Sequence, residues 1–141
     1  MTKEMLESYK SMEAEIKELK VKIENLAEAE TDNSVIFDYK TGFPRPQSVV
    51  GVDEKRYYSK LARYQNKIKE LQEACDKIEA FVEDIPDSLT RRIFRLTYIE
   101  GNSMETVGKK VGLDKSNVSR KIDRYLKENL KLASNTTKAT V

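Results

Sequence analysis

The chain has 141 residues, 35% of them charged, with only five Gly and three Pro, which suits one domain, or a small domain with an extended appendage, built from long solvated helices rather than a β-sandwich. It contains no His, which excludes His-based triads, His proton shuttles and His-containing zinc sites, and its single Cys75 can form neither an internal disulfide nor a CxxC pair. The net charge of +2 is unevenly spread: from Pro86 onward twelve Lys and Arg stand against six Asp and Glu, whereas residues 1–85 carry fourteen against eighteen, so an anion-binding surface is expected in the second part.

The opening stretch MTKEMLESYK is too charged for a signal peptide. No apolar run approaches the roughly 18 residues of a membrane span, and the lone cysteine suits a reducing compartment, so a soluble cytoplasmic chain with no membrane contact is expected. From Met5 the apolar residues Met5, Tyr9, Met12, Ile16, Leu19, Ile23 and Leu26 alternate spacings of four and three. That is the seam of a coiled coil, set among Lys and Glu.

A second seam follows through Tyr57, Leu61, Tyr64, Ile68, Leu71, Cys75, Ile78, Val82 and Ile85, with Asp53 as the expected N-cap of its helix. Two such helices can fold back on each other within one chain or pair with those of another molecule. The narrow seam implies a thin core, which favours a further partner, most simply a homodimer. Cys75 reads as a small buried hydrophobe at a seam position.

Between the helices, residues 31–52 contain Gly42, Pro44, Pro46 and Gly51, which are expected to bar a continuous helix. The same stretch holds Val35, Ile36, Phe37, Tyr39, Phe43, Val49 and Val50, too apolar for a free linker. It reads either as a loop folded over the helix ends, with room for a short strand pair, or as a docking surface for another protein.

A boundary is expected at Pro86, after which Asp87 or Ser88 can cap a helix reaching to about Glu100, with Leu89, Ile93, Leu96 and Ile99 on one side and Gly101 at its end. Ser103 then caps a short helix holding Met104, Val107 and Val111. Gly108 lies on its inner side, where a missing side chain lets a second helix approach closely, and Gly112 makes the turn. Leu113 and Val118 bracket Asp114, the expected N-cap of a last helix that buries Val118, Ile122, Tyr125 and Leu126. This succession has the pattern of a helix-turn-helix.

The first turns of that last helix leave Lys115, Ser116, Asn117, Ser119 and Arg120 outside, cationic donors and short amide or hydroxyl groups suited to base edges in the major groove. Lys109, Lys110, Lys121, Arg124 and Lys127 surround them and suit phosphates. No acidic residue occurs from Lys115 to Lys121, whereas an ordinary solvated face mixes Glu with Lys. The residues 133–141 have the composition of a disordered tail.

The stretch IPDSLTRRIFRLTYIEGNSMETVGKKVGLDKSNVSRKIDRYL resembles the region-four domain of bacterial sigma factors, in which a basic helix with an RLRY-like ending precedes a helix-turn-helix that reads the −35 promoter element. The corresponding ending here is RLTY, Arg95 to Tyr98. With GFPRPQSVVG before a long helix, the whole chain is similar to small phage-encoded transcriptional regulators, the RinA and ArpU-like activators of late genes. The resemblance implies base-facing roles for Lys115, Ser116, Ser119 and Arg120, a backbone contact for Arg124, a bacterial host cell and RNA polymerase as a candidate partner. Unlike true sigma factors, the chain has no candidate for the domain that grips the −10 element, which favours an accessory regulator.

The expectation is thus an all-α protein: a coiled-coil hairpin over 1–85, with a loop at 31–52, and a helix-turn-helix domain over 86–132. It would act as a dimeric, sequence-specific regulator on double-stranded DNA, without a cofactor. The alternative is a small terminase subunit for phage DNA packaging, although that family usually places its DNA-binding domain first. A coiled-coil adaptor whose basic helix meets an acidic protein is a third reading. An enzyme is least favoured, since carboxylates such as Glu83 and Asp84 read as surface charges with no pocket.

Overall fold

A computed structural model describes the backbone of residues 1–41 and 46–139, and the side chains of 1–26 and 54–132. Among these residues all regular structure is helical, so the protein is all-α. The elements are α1 (Lys3–Glu7), α2 (Tyr9–Thr41), α3 (Pro46–Glu83), α4 (Ser88–Phe94), a π-helical turn (Arg95–Ile99), α5 (Met104–Val111) and α6 (Lys115–Ala139).

The two long helices run further than their seams suggested. The loop expected over residues 31–52 is not what the backbone forms: α2 continues to Thr41 and α3 begins at Pro46. Proline is well suited to a first helical position, where its missing N–H has no partner to lose and its φ is already helical. Gly51 and Asp53 accordingly lie inside α3, the glycine costing about 1 kcal/mol of helix propensity. Residues 42–45, and the apolar side chains from Val35 to Val50 read as a docking surface, lie outside the described residues. The tail also differs from expectation, since α6 continues to Ala139; residues 140–141 are outside the description.

The chain forms two compact units, one of Met1–Met12 with Ala74–Val141 and one of Glu13–Glu73. The boundary expected at Pro86 does not divide them. The first unit takes its core from the end of α3 (Ile78, Val82), from Ile85 just beyond it, from α4 (Ile93, Phe94), from Tyr98 on the π turn, and from Val107, Val118, Ile122 and Leu126 of α5 and α6. Leu6 and Tyr9, from the far end of the sequence, are buried in the same unit. Each such side chain contributes about 1.5–3 kcal/mol when removed from water.

Aromatic rings hold the centre of this unit. Phe94 meets Tyr125 at 5.4 Å, Tyr98 at 5.7 Å and Phe81 at 6.3 Å between centroids, all tilted or edge-on, the arrangement the ring quadrupoles favour. The stripe expected along α4 was Leu89, Ile93, Leu96 and Ile99. Of these only Ile93 is buried, together with Thr90, Phe94 and Tyr98, about one position round the helix, while Leu89, Leu96 and Ile99 are half-buried. At the π turn, Glu100 N–H reaches back five residues to the Arg95 carbonyl, at 2.9 Å.

The first seam is also shifted at its start. Ser8 donates its hydroxyl to the Met5 carbonyl at 2.6 Å, a side-chain bond that competes with helical pairing and separates α1 from α2. Leu6 turns inward and becomes fully buried, while Met5, which fitted the spacing, is 47% exposed.

In the second unit the spacing holds. Ile16 is buried, and Leu19, Ile23, Leu26, Tyr57, Leu61, Tyr64, Ile68 and Leu71 are half-buried, with exposed Lys and Glu between them. The Lys22 ammonium lies 6.0 Å from the centre of the Tyr64 ring.

Candidate nucleic-acid interface

The segment from Ser103 to Lys127 is shaped by short-range chemistry. Ser103 accepts the Thr106 N–H on its hydroxyl at 3.2 Å, which starts α5. The helix stops at Gly112, whose φ of 77° is the left-handed conformation that a side chain opposes. The N–H groups of Gly112 and Leu113 both bond the Gly108 carbonyl, at 2.8 and 2.9 Å, and so close the last turn.

Gly108 is small for a different reason: a Cβ placed there would collide with the Leu113 carbonyl oxygen. The close approach expected at Gly108 is therefore made by the backbone of the turn itself. Asp114 then accepts the Val118 N–H on its carbonyl at 3.0 Å, as an N-cap residue does, and α6 begins at Lys115.

α6 is anchored from one side only. Val118 and Ile122 are fully enclosed and Leu126 nearly so. At 100° per residue, Arg120, Arg124, Lys127 and Asn117 lie farthest from these three, with Ser116 beside them, Asp123 on one flank, Lys121 on the other and Ser119 nearer the core. Of the expected base-facing residues, Lys115, Ser116, Asn117 and Arg120 are exposed and Ser119 is half-buried. Among the expected phosphate contacts, Lys109, Lys110, Arg124 and Lys127 are exposed, while Lys121 is half-buried.

Two clefts border this face. One of ≈ 530 Å³ opens between α5 and the start of α6, lined by Glu105, Lys109, Lys115 and Asn117 over the glycine turn. The other, of ≈ 310 Å³, lies between the start of α4 and the flank of α6, lined by Asp87, Thr90, Lys121, Arg124, Tyr125 and Glu128. Asp87 caps α4, accepting the Thr90 hydroxyl at 2.7 Å and its N–H at 2.9 Å. Those bonds from Thr90, aided by Lys121 and Arg91, hold the Asp87 carboxyl below its ordinary pKa. Arg91 is turned away from the clefts, donating to the Ile85 carbonyl at 2.8 Å, where the chain leaves α3.

Two residues at this face escaped the sequence reading. Asp123 lies one turn beyond Ser119 on α6, and its helical spacing could have placed it there. Lys3 reaches Asp123 from α1, its Nζ 3.3 Å from the carboxylate oxygen. Nothing local in the sequence pairs positions so far apart. Elsewhere in the first unit, burial of the Tyr125 phenol, reinforced by Asp84, raises its pKa against an opposing hydrogen bond from Asn129.

Among the described residues, no cluster of three or more Cys, Asp or Glu is arranged to hold a metal ion, and no helix is long and apolar enough to cross a membrane. No protein-family model, curated protein or solved structure matches the chain.

Proposed function

We propose that the chain is a sequence-specific DNA-binding regulator of transcription that lays the N-terminal turns of α6 into the major groove, using α5 and α6 as a helix-turn-helix. The observation that carries this reading is the one-sided anchoring of α6. Its inner face is packed into the core, while its first two turns offer Lys115, Ser116, Asn117 and Arg120 to solvent with no carboxylate before Asp123. Bidentate cations and short polar side chains on an exposed helix read base edges, and the surrounding Lys109, Lys110, Arg124 and Lys127 suit phosphates. The resemblance to small phage-encoded regulators suggests phage or prophage genes in a bacterial cytoplasm as the setting, with RNA polymerase as a further partner.

α2 and α3 form an antiparallel coiled-coil hairpin on this reading. Tyr9 donates its hydroxyl to Glu79, and Lys22, thirteen residues further along α2, lies near Tyr64, fifteen residues back along α3. The seam residues from Leu19 to Leu26 and from Tyr57 to Leu71 are only half-buried, and Val21 and Tyr58 are 52% and 62% exposed, which supports a second copy packing against this part of the helices. A dimer of this kind would carry two reading helices and suit paired half-sites about 34–36 Å apart.

The test is selection of bound duplexes from sheared host and phage DNA at about 150 mM salt, close to physiological ionic strength. A repeated motif upstream of genes is the expected result; recovery of one packaging-type locus would favour the terminase reading. Arg120→Ala should cost about 1–3 kcal/mol on the selected site and relax its sequence preference. Lys127→Ala should weaken all duplexes alike and lower the salt slope by about one. Wild-type affinity and discrimination in both variants would overturn this assignment of the reading face.

A further inference from the structure

We infer that α1 belongs to the duplex-binding surface, with Lys3 neutralising the carboxylate of Asp123 on the flank of α6 and presenting its ammonium to a backbone phosphate. The inference rests on the proposed reading of α6 and adds a segment from the opposite end of the sequence to it.

The problem it answers is electrostatic. Asp123 stands three residues from Arg120 and four from both Ser119 and Lys127, on an exposed flank of α6. A carboxylate there repels phosphates and offsets the nearby cations, because charges within about 8 Å are only weakly screened at physiological salt. Lys3 answers it directly across a 3.3 Å contact.

The position of Lys3 is built rather than incidental. Thr2 caps α1 by accepting the Met5 N–H on its hydroxyl, at 3.2 Å. Leu6, one turn beyond Lys3, is fully buried, and Tyr9 is anchored by burial and by its bond to Glu79. The Lys10 stem runs beside Gly101, its Cε 3.1 Å from the place where a side chain on that glycine would begin, so this segment lies near the end of the π turn. Glu7 and Asp123 also act on the same phenol, that of Tyr98, which puts the end of α1 near the same stretch of α6.

The pair is itself free to take up a phosphate. The Lys3 and Asp123 side chains are 40% and 59% exposed, and an exposed pair contributes only about 0–1 kcal/mol. An ammonium has three donors, so it can keep the carboxylate and bond a phosphate oxygen at once. On the opposite flank of α6 the cation is Lys121, with Arg124 further round toward the outward face, both lining the cleft at the start of α4. Lys3 supplies the matching positive charge on the Asp123 side.

The experiment is fluorescence anisotropy of a labelled mixed-sequence duplex with the full chain, from about 50 to 200 mM salt, where phosphate contacts dominate. Lys3→Gln is expected to weaken binding several-fold and lower the salt slope by about 0.9, the value of one phosphate contact. Lys3→Glu should weaken it further. Asp123→Asn should tighten binding, since it removes the repelling charge and releases Lys3.

Thermal unfolding of Lys3→Gln should match wild type, separating a binding role from a structural one. Unchanged affinity and slope in Lys3→Gln and Lys3→Glu overturns the inference, as does unchanged or weaker binding in Asp123→Asn. Absence of duplex binding by the wild-type chain is a different result, and removes the reading of α6 on which the inference stands.

Discussion

Tyr98 carries a hydroxyl with no hydrogen-bond partner among the described residues, although it is only 5% exposed and its ring packs against Phe94. Burial, with the nearby Glu7 and Asp123 adding to it, pushes its phenol up to about 12 from 10.0. The folded state therefore favours the neutral phenol. Its contribution is fully present below pH 10 and is lost as the pH rises from about 10 to about 12. Tyr98→Phe keeps the ring and deletes the unpaired oxygen. Stability at pH 7 should be unchanged or higher by up to about 1 kcal/mol, and the alkaline loss should shrink. Urea unfolding at pH 7 and at high pH measures both, and a clear loss at pH 7 would mean the hydroxyl has a partner in solution.

The turn between α5 and α6 rests on two glycines that serve it differently. Gly112 needs its positive φ, yet a side chain there would meet nothing within 4 Å. Gly112→Ala should cost about 1–2 kcal/mol, and Gly112→Asn less, because Asn tolerates the left-handed region. Gly108 has ordinary helical geometry but no space beside the Leu113 carbonyl. Gly108→Ala should cost about 1–3 kcal/mol, and Gly108→Asn should cost more rather than less. Opposite responses to asparagine, read by chemical denaturation, distinguish strain from collision.

These helices were legible in the sequence because their signals are local. Ser103, Gly112 and Asp114 act within four residues of themselves, and the three-four spacing from Ile16 to Leu26 and from Tyr57 to Ile85 reports directly on which side is covered. Elsewhere two answers fitted the same letters. Met5 satisfied the spacing as well as Leu6 did, and only the hydroxyl of Ser8, bonding back to Met5, decided between them. Pro46 was read as a breaker where it begins a helix, and Phe94 displaced Leu96 because the surrounding rings favour an aromatic centre. At the candidate site the exposed side chains of α6 could be chosen from helical spacing alone. Lys3 could not, since its place beside Asp123 depends on tertiary packing.

At the scale of the molecule, the first unit is assembled from two stretches of chain separated by the whole of Glu13–Glu73. A fragment beginning at Pro86 would resemble an independent domain by sequence, yet it lacks Leu6, Tyr9, Ile78 and Val82, all buried in the intact unit. At about 1.5–3 kcal/mol for each large apolar side chain, that loss is comparable to the entire stability of a small domain. Such a fragment should unfold without a cooperative transition. A fragment beginning at Ala74 should fold weakly and be stabilised by a peptide of residues 1–12 added in excess. Differential scanning calorimetry separates these outcomes, and a Pro86 fragment melting like the full chain would contradict the shared core.

The split core also sets a schedule for biosynthesis. Residues 1–12 leave the ribosome long before Ile122 and Leu126, a delay of roughly 5–25 s at translation rates of about 5–20 residues per second. During that interval Leu6 waits without the later helices of its unit, and closure must span more than a hundred residues, which slows folding relative to a bundle with neighbouring partners. A nascent chain halted before α6 would hold Leu6 uncovered. The region proposed to bind DNA would become competent only when α1 and α6, separated by more than a hundred residues of synthesis, meet.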